Sequence, residues 1–386
     1  MTWKHFSMEQ AAARFDTSRD LTIGIEEEFQ IMNAESLELV DRFEELYVAS
    51  RPQMGVHVCG ELIASEIEIN THKCFDLREA EADLKTKRGQ LMSAAREIGV
   101  GLAASGTHPF SDWKKQRILG TAHYREVEER LRYLAWKNLS YGMHVHVGVR
   151  GRERMISVFN AMRGYLPYFL ALSANSPFAE DCYTHLHSTR AQIFTRSFPR
   201  CNIPGAFKDW SEYSSFVDLL FDTRSISDPM QMWWSIRPHP WFGTLEIRIC
   251  DCQSDVSRTM GVAGLTVAVL AQLAEDYDNG GRLPVLNTNQ NEENLWRATR
   301  YGLEGFMVDF LTGREVSTPD AIRQLADYAG DQWAKLGGSR CLETVYDMLA
   351  KGNGAQRQIE IYEKTGDIRE VFVDVVARSV FDYAAA

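Results

Sequence analysis

The stretch Ile23-Gly24-Ile25-Glu26-Glu27-Glu28-Phe29-Gln30-Ile31 decides how the chain folds. Side chains alternate between the two faces of a strand. Glu26, Glu28 and Gln30 therefore share one face, and Glu27 lies on the other beside Ile25, Phe29 and Ile31. Adjacent carboxylates repel, and a strand that only has to fold gains nothing from pairing them. Three later stretches repeat the device. Glu66-Ile67-Glu68-Ile69 sets two acids over isoleucines, His144-Val145-His146-Val147 sets imidazoles over valines, and Thr244-Leu245-Glu246-Ile247-Arg248-Ile249 sets an acid and a base over aliphatics. Solvent-facing residues of half-exposed strands would explain any one of these pairs, but four together are better explained by a shared cation. The expected fold is α+β: one antiparallel sheet with its apolar face under helices and its polar face lining an open site.

The flanking sequence supplies the helices. Asp76 as cap, Leu77, Ala80, Leu84, Leu91 and Ala95 at helical spacing, and Gly99 as stop predict an amphipathic helix. A second long helix is expected over 254–278, and Pro167 should kink or divide the helical stretch 152–175. A single strand is expected at about 56–70. The loop-rich region 176–210, with Arg190, Arg196 and Arg200, is a candidate lid or substrate loop. Beyond about 290 the chain reads as helix in pieces. We expect a single catalytic domain over 1–386, with a core at about 20–315 and a helical part at about 316–386. Tyr328, Trp333 and Tyr346, expected at the surface of that helical part, make it the candidate face for a homodimer.

Composition narrows the partners. A net charge of −11 without any basic run argues against nucleic acid or an anionic membrane. The amino terminus lacks a secretory signal, and no apolar run approaches the roughly 20 residues of a membrane span. Seven cysteines without a CxxC make no disulfide framework, so a reduced, cytoplasmic protein is expected.

Glu26, Glu28, Glu68 and Glu246 offer hard oxygen ligands suited to Mg²⁺ or Mn²⁺, and an imidazole could complete the set. Arg248, two residues after Glu246, with Arg237 and Arg190, offers guanidinium groups for carboxylate or phosphate. A cation and arginines around an acidic site suit phosphoryl transfer. No GxxxxGK[ST], GxSxG or HExxH motif is present.

With these residues in view, the chain resembles the type 2 glutamate–cysteine ligases, in particular the carboxylate–amine ligases of the YbdK subfamily, from about residue 20 to 315. The marks are GIEEEF (24–29), EIEINT (66–71), GTHPF (106–110), YGMHVHVGV (141–149), NSPF (175–178), WSIRPHPWFGTLEIRICD (234–251) and WRATRYGLEG (296–305). The resemblance implies a glutamine-synthetase-like fold, a curved antiparallel sheet forming a funnel backed by helices. It implies ATP-dependent joining of glutamate to cysteine or a related amine through a γ-glutamyl phosphate, giving ADP and phosphate. Carried over by position, Glu28 and Glu68 would hold one Mg²⁺ (or Mn²⁺), and Glu26, His144 and Glu246 another. Arg248 would stabilise the transferring phosphoryl group, and Arg237 and Arg190 are candidates for phosphate or substrate carboxylate. Glu61 and Glu66 are nearby candidates of unassigned role, and His146 would stand behind the ligands. The alternatives are a guanido-kinase-like phosphotransferase and a non-catalytic nucleotide- and metal-binding sensor on the same fold.

Overall fold

The structure is a computed structural model that describes residues 7–380. Parts of two expected elements, the leading arm at 1–6 and the end of the last helix at 381–383, lie outside the described residues. The fold is α+β around a seven-stranded sheet. Its path runs Val58–Cys59, Glu66–Asn70, Ile23–Met32, Gly142–Gly148, Thr244–Asp251, Ile236–His239, and Gly101–Ala103 pairs with the far end of Ile23–Met32. Every pairing in it is antiparallel.

Register does the functional work here. Glu28 faces Glu68 and Gln30 faces Glu66 across one ladder, and Glu26 faces His144 across the next. His146 faces Glu246, which in turn faces Arg237. A slip of one residue would turn each of these side chains into the core, so the alternating isoleucines and valines lock the register.

Behind the sheet, Ile25, Phe29, Ile67, Val145, Val147 and Ile247 are completely buried in the main core. The helix Leu77–Ile98 covers them, started by the Asp76 carboxylate, which accepts from the Glu79 N–H at 2.8 Å, and stopped by Gly99 in the left-handed region. A cap of this kind contributes about 1 kcal/mol. Beside it runs Val256–Asp278. Contrary to the expectation that no segment resembles a membrane span, this helix is long and apolar enough by length and composition to cross one, with mean hydropathy 1.4 over its best window. It is apolar all round because 83% of that window is buried inside the fold, between the sheet and the carboxy-terminal helices.

Two expectations need correction. The strand anticipated over about 56–70 is a hairpin: Val58–Cys59 turns back onto Glu66–Asn70, leaving Glu61 on the connecting loop. Between the helical pieces of the carboxy-terminal region, Phe306–Asp309 and Arg314–Ser317 pair as a hairpin. Its turn is set by the Asp309 carboxylate, which accepts from the Leu311 N–H at 2.9 Å and the Thr312 hydroxyl at 2.6 Å, and by Gly313 at φ 67°. Trp333 is buried rather than exposed, its indole N–H donating to the Ala326 carbonyl at 2.9 Å. Pro167 divides two helices, Arg152–Met162 and Leu166–Ser173, and sits in the first turn of the second, where its missing N–H costs nothing.

Candidate active site

The polar face of the sheet gathers every acid and imidazole that the alternation predicts there. Glu26 Oε2 lies 2.9 Å from His144 Nδ1, and Glu26 Oε1 lies 3.1 Å from His146 Nε2. Glu246 receives a fork from Arg237, Nε to Oε2 at 2.8 Å and Nη2 to Oε1 at 2.9 Å, and a further bond from Arg248 Nη1 at 2.5 Å. Glu28 lies 3.6 Å from His144 Nε2 and accepts the Gly142 N–H. Glu68 accepts the Cys59 thiol at 3.1 Å. Glu27, the odd member of the acidic triplet, points into the core, as strand alternation requires.

The electrostatics divide the acids into two groups. Burial opposes the ionisation of Glu26, but the charges and hydrogen bonds of His146 and His144 outweigh it and hold the carboxyl well below its usual range. Burial is likewise outweighed at Glu246, by Arg237 and Arg248. At Glu61, Glu66 and Glu68 the opposing partners are outweighed by burial and like charge. Burial, reinforced by the charge of Glu28, pushes Glu61 up to about 8. Burial and neighbouring carboxylates also raise Glu66 and Glu68 well above the usual range.

A divalent cation fits this donor set. Oxygen or nitrogen atoms of Glu26, Glu68 and His144 lie within 4.8 Å of one another, as do those of Glu26, His146 and Glu246. His144 Nε2 is buried with no hydrogen-bond partner, a lone pair or proton without use unless something binds there. This grouping shares Glu26 between two clusters and brings His146 in, whereas the resemblance pairs Glu28 with Glu68 and leaves His146 behind. Register explains why: His146 is the residue directly opposite Glu246.

Arg190, on the loop, reaches the site from below. It is 2% exposed, its guanidinium donates to the Ile249 and Arg248 carbonyls at 3.2 and 3.3 Å, and its Nε is unpartnered. A methyl group on Gly142 would collide with that guanidinium, so only glycine lets it lie against the histidine strand. Arg196 instead pairs with Glu292, and Arg200 donates to the Gln231 carbonyl. Asp251, fully buried, binds the Asn175 N–H and the hydroxyls of Ser176 and Ser188 at 2.7–2.9 Å, and Ser176 Oγ accepts the Arg190 N–H at 3.2 Å. NSPF and the end of RICD are marks of the family resemblance, but nothing in the sequence assigns them this task. The signal lies only in the contacts.

Two cavities flank the cluster. One, about 630 Å³, runs past Glu26, His146, Asn70, Trp241, Phe242 and Thr244. The other, about 180 Å³, is bounded by Glu28, Glu61, Glu66, His144, Arg237 and Arg248, with Arg190 at its side.

The sequence model of the glutamate–cysteine ligase family 2 matches residues 22–374, so the likeness extends through the carboxy-terminal helices. A protein of Solibacter usitatus, provisionally named glutamate–cysteine ligase 2, is 38% identical over 352 residues, 91% of each chain. A protein of Sorangium cellulosum with the same provisional name is 39% identical over 360 residues, 93% of this chain and 96% of its own. In three dimensions the chain is similar to the glutamate–cysteine ligase of Francisella tularensis in complex with AMP, with a TM-score of 0.72 at 11% identity, covering 96% of this chain and 91% of that one. At that identity the likeness speaks for the fold alone, and the sequence matches speak for the lineage. The chain is a ligase and belongs to the glutamate–cysteine ligase family 2.

Proposed function

We propose that this ligase activates the γ-carboxylate of glutamate with ATP and joins it to an amine, cysteine or a related one, through a γ-glutamyl phosphate, releasing ADP and phosphate. The observation that carries the reading is the convergence of Glu26, Glu28, Glu68, His144 and Glu246 with Arg237 and Arg248 between two cavities. The AMP in the Francisella ligase supports a nucleotide. Trp241 and Phe242 make the wider cavity the apt one for a base.

Glu26, Glu28, Glu68, His144 and Glu246 would hold Mg²⁺ or Mn²⁺. Bound there, the cation would neutralise the crowded carboxylates and screen the repulsion between two anionic substrates. The chain's own residues do the rest. Arg248, whose Nε is unpartnered, meets the negative charge that spreads over the transferring phosphoryl group. Arg237 fixes Glu246 by its fork, and Arg190 offers its free Nε to a substrate carboxylate or phosphate. In the first step a carboxylate oxygen bonds to the terminal phosphorus as the bond to ADP breaks. In the second the amine nitrogen bonds to the acyl carbon, the carbon–oxygen bond breaks, and phosphate leaves. The buried setting keeps water from the acyl phosphate meanwhile.

The test is phosphate release from ATP and Mg²⁺ with glutamate and single amines, with mass spectrometry of the products. Amine-dependent release with a γ-glutamyl amide is expected, and Arg248→Ala should slow it by roughly 10²–10³-fold. A phosphorylated product without amide would indicate a phosphotransferase instead.

A further inference from the structure

The narrower cavity has two unlike walls. One carries Glu61, Glu66, Arg190 and Arg248. The other is apolar: Leu62, Val127, Phe194, Phe198 and Trp233. These five belong to a hydrophobic cluster separate from the main core, drawn from the loop before Glu66, the helix Ala122–Leu131, the π-helical turn Ala191–Thr195 and its sequel, and the segment leading into Ile236–His239. Phe194 and Phe198 lie 5.2 Å apart between ring centroids, and Phe198 meets Trp233 edge to face at 5.8 Å. A cluster that served only to seat the helix would close upon itself, yet Phe194 and Trp233 stay half-buried at the cavity.

The polar wall completes a three-point arrangement. The Arg190 guanidinium stands 5.7 Å over the Phe194 ring, 2% exposed and with Nε unpartnered, which suits a carboxylate beside an apolar group. Glu61 and the buried Glu66 offer carboxyl oxygens to an amine across the same space. We propose that the amine joined by this enzyme is an α-amino acid with a large apolar side chain. Its carboxylate rests on Arg190, its amine on the Glu61 and Glu66 carboxyl groups, and its side chain against Phe194, Phe198 and Trp233. The inference rests on the ligase reading above and departs from cysteine as its second substrate.

The chemistry balances. The acceptor enters as the free amine, having left one proton in solvent; as its nitrogen bonds to the acyl carbon and the carbon–oxygen bond breaks, the departing phosphate takes the second. A hydrophobic pocket discriminates by roughly 10–200-fold per missing methylene group.

The full chain, given ATP, Mg²⁺ and saturating glutamate, should be offered leucine, phenylalanine, alanine, cysteine and lysine singly, with phosphate release and amide mass recorded. Leucine and phenylalanine should exceed alanine and cysteine by at least about tenfold in kcat/KM. Trp233→Ala and Phe194→Ala, made separately at half-buried sites, should each shrink that ratio several-fold. A ratio between substrates within one variant is unaffected by how much of it folds. Cysteine or lysine as the preferred acceptor would overturn the inference and leave the ligase reading standing. So would a leucine preference unmoved by both variants. Phosphate release with no amine at all would remove both.

Discussion

Arg88 and Glu27 form a buried ion pair beneath the sheet, Nε to Oε2 at 2.6 Å, 61 residues apart in the chain and both at most 1% exposed. The same guanidinium donates to the Gln253 and Ser254 carbonyls at 2.8 Å, and the Thr259 hydroxyl donates to Glu27 at 2.5 Å. The pair therefore ties the acidic strand, the helix Leu77–Ile98 and the start of Val256–Asp278 together at the level where Glu26 and Glu28 face the site. Removing one partner leaves a buried charge alone. Arg88→Met should lower the unfolding free energy by about 3–5 kcal/mol, and Glu27→Leu in the same chain should restore much of it. Urea unfolding monitored by fluorescence measures both.

Like charges on one sheet face destabilise the cation-free protein, so a bound cation should show as stability. Millimolar Mg²⁺ or Mn²⁺ should raise the thermal midpoint in a saturable way, by an amount corresponding to about 2.7 kcal/mol at a hundredfold excess over Kd. Glu26 is shared by both candidate clusters, and Glu26→Gln should abolish the response. An unaltered midpoint in the wild type at any cation concentration would refute the metal site.

Asp251 is tied to Arg190 through Ser176, whose hydroxyl donates to the carboxylate and accepts the Arg190 N–H. Ser188→Ala or Asp251→Asn should raise KM for the amino-acid substrates while the far-ultraviolet spectrum stays native. In the Arg190→Ala background the same changes should add little, giving a coupling of about 1–2 kcal/mol in a double-mutant cycle. Additive effects would mean that the hydroxyl network supports the loop and nothing more.

His108, 1% exposed, is neutral in the fold: Nε2 donates to the Leu37 carbonyl at 2.9 Å and Nδ1 accepts the Ser111 N–H at 3.0 Å. Burial, only partly offset by the Leu37 carbonyl, pulls its pKa down to about 3. Unfolded histidine titrates near 6.5. Between those values the unfolded chain binds the extra proton, so stability is full above about 6.5 and falls with pH below it, by about 1.4 kcal/mol per unit. His108→Gln should therefore lose roughly 2 kcal/mol less than wild type between pH 7.5 and pH 5 in urea titrations. Equal losses would show that the ring is charged or exposed in the fold.

The sequence by itself determined which side chains share a face. Alternation within a strand is a property of covalent geometry, so Glu26 and Glu28 opposite Glu27, Glu66 with Glu68, His144 with His146, and Glu246 with Arg248 could be assigned from order alone. Caps and stops such as Asp76, Gly99 and Pro167 are equally local. Tertiary structure alone decided the pairings across strands: His146 with Glu246, Glu26 with both histidines, Arg237 with Glu246. It also decided the residues brought in by loops, Glu61 and Arg190, and the aromatic wall of Phe194, Phe198 and Trp233, which in sequence looks like ordinary core. The helix Val256–Asp278 carries a membrane-like composition whose meaning depends on what surrounds it. These outcomes depend on contacts between segments tens to hundreds of residues apart, whose register is chosen by collective burial and not by any local preference.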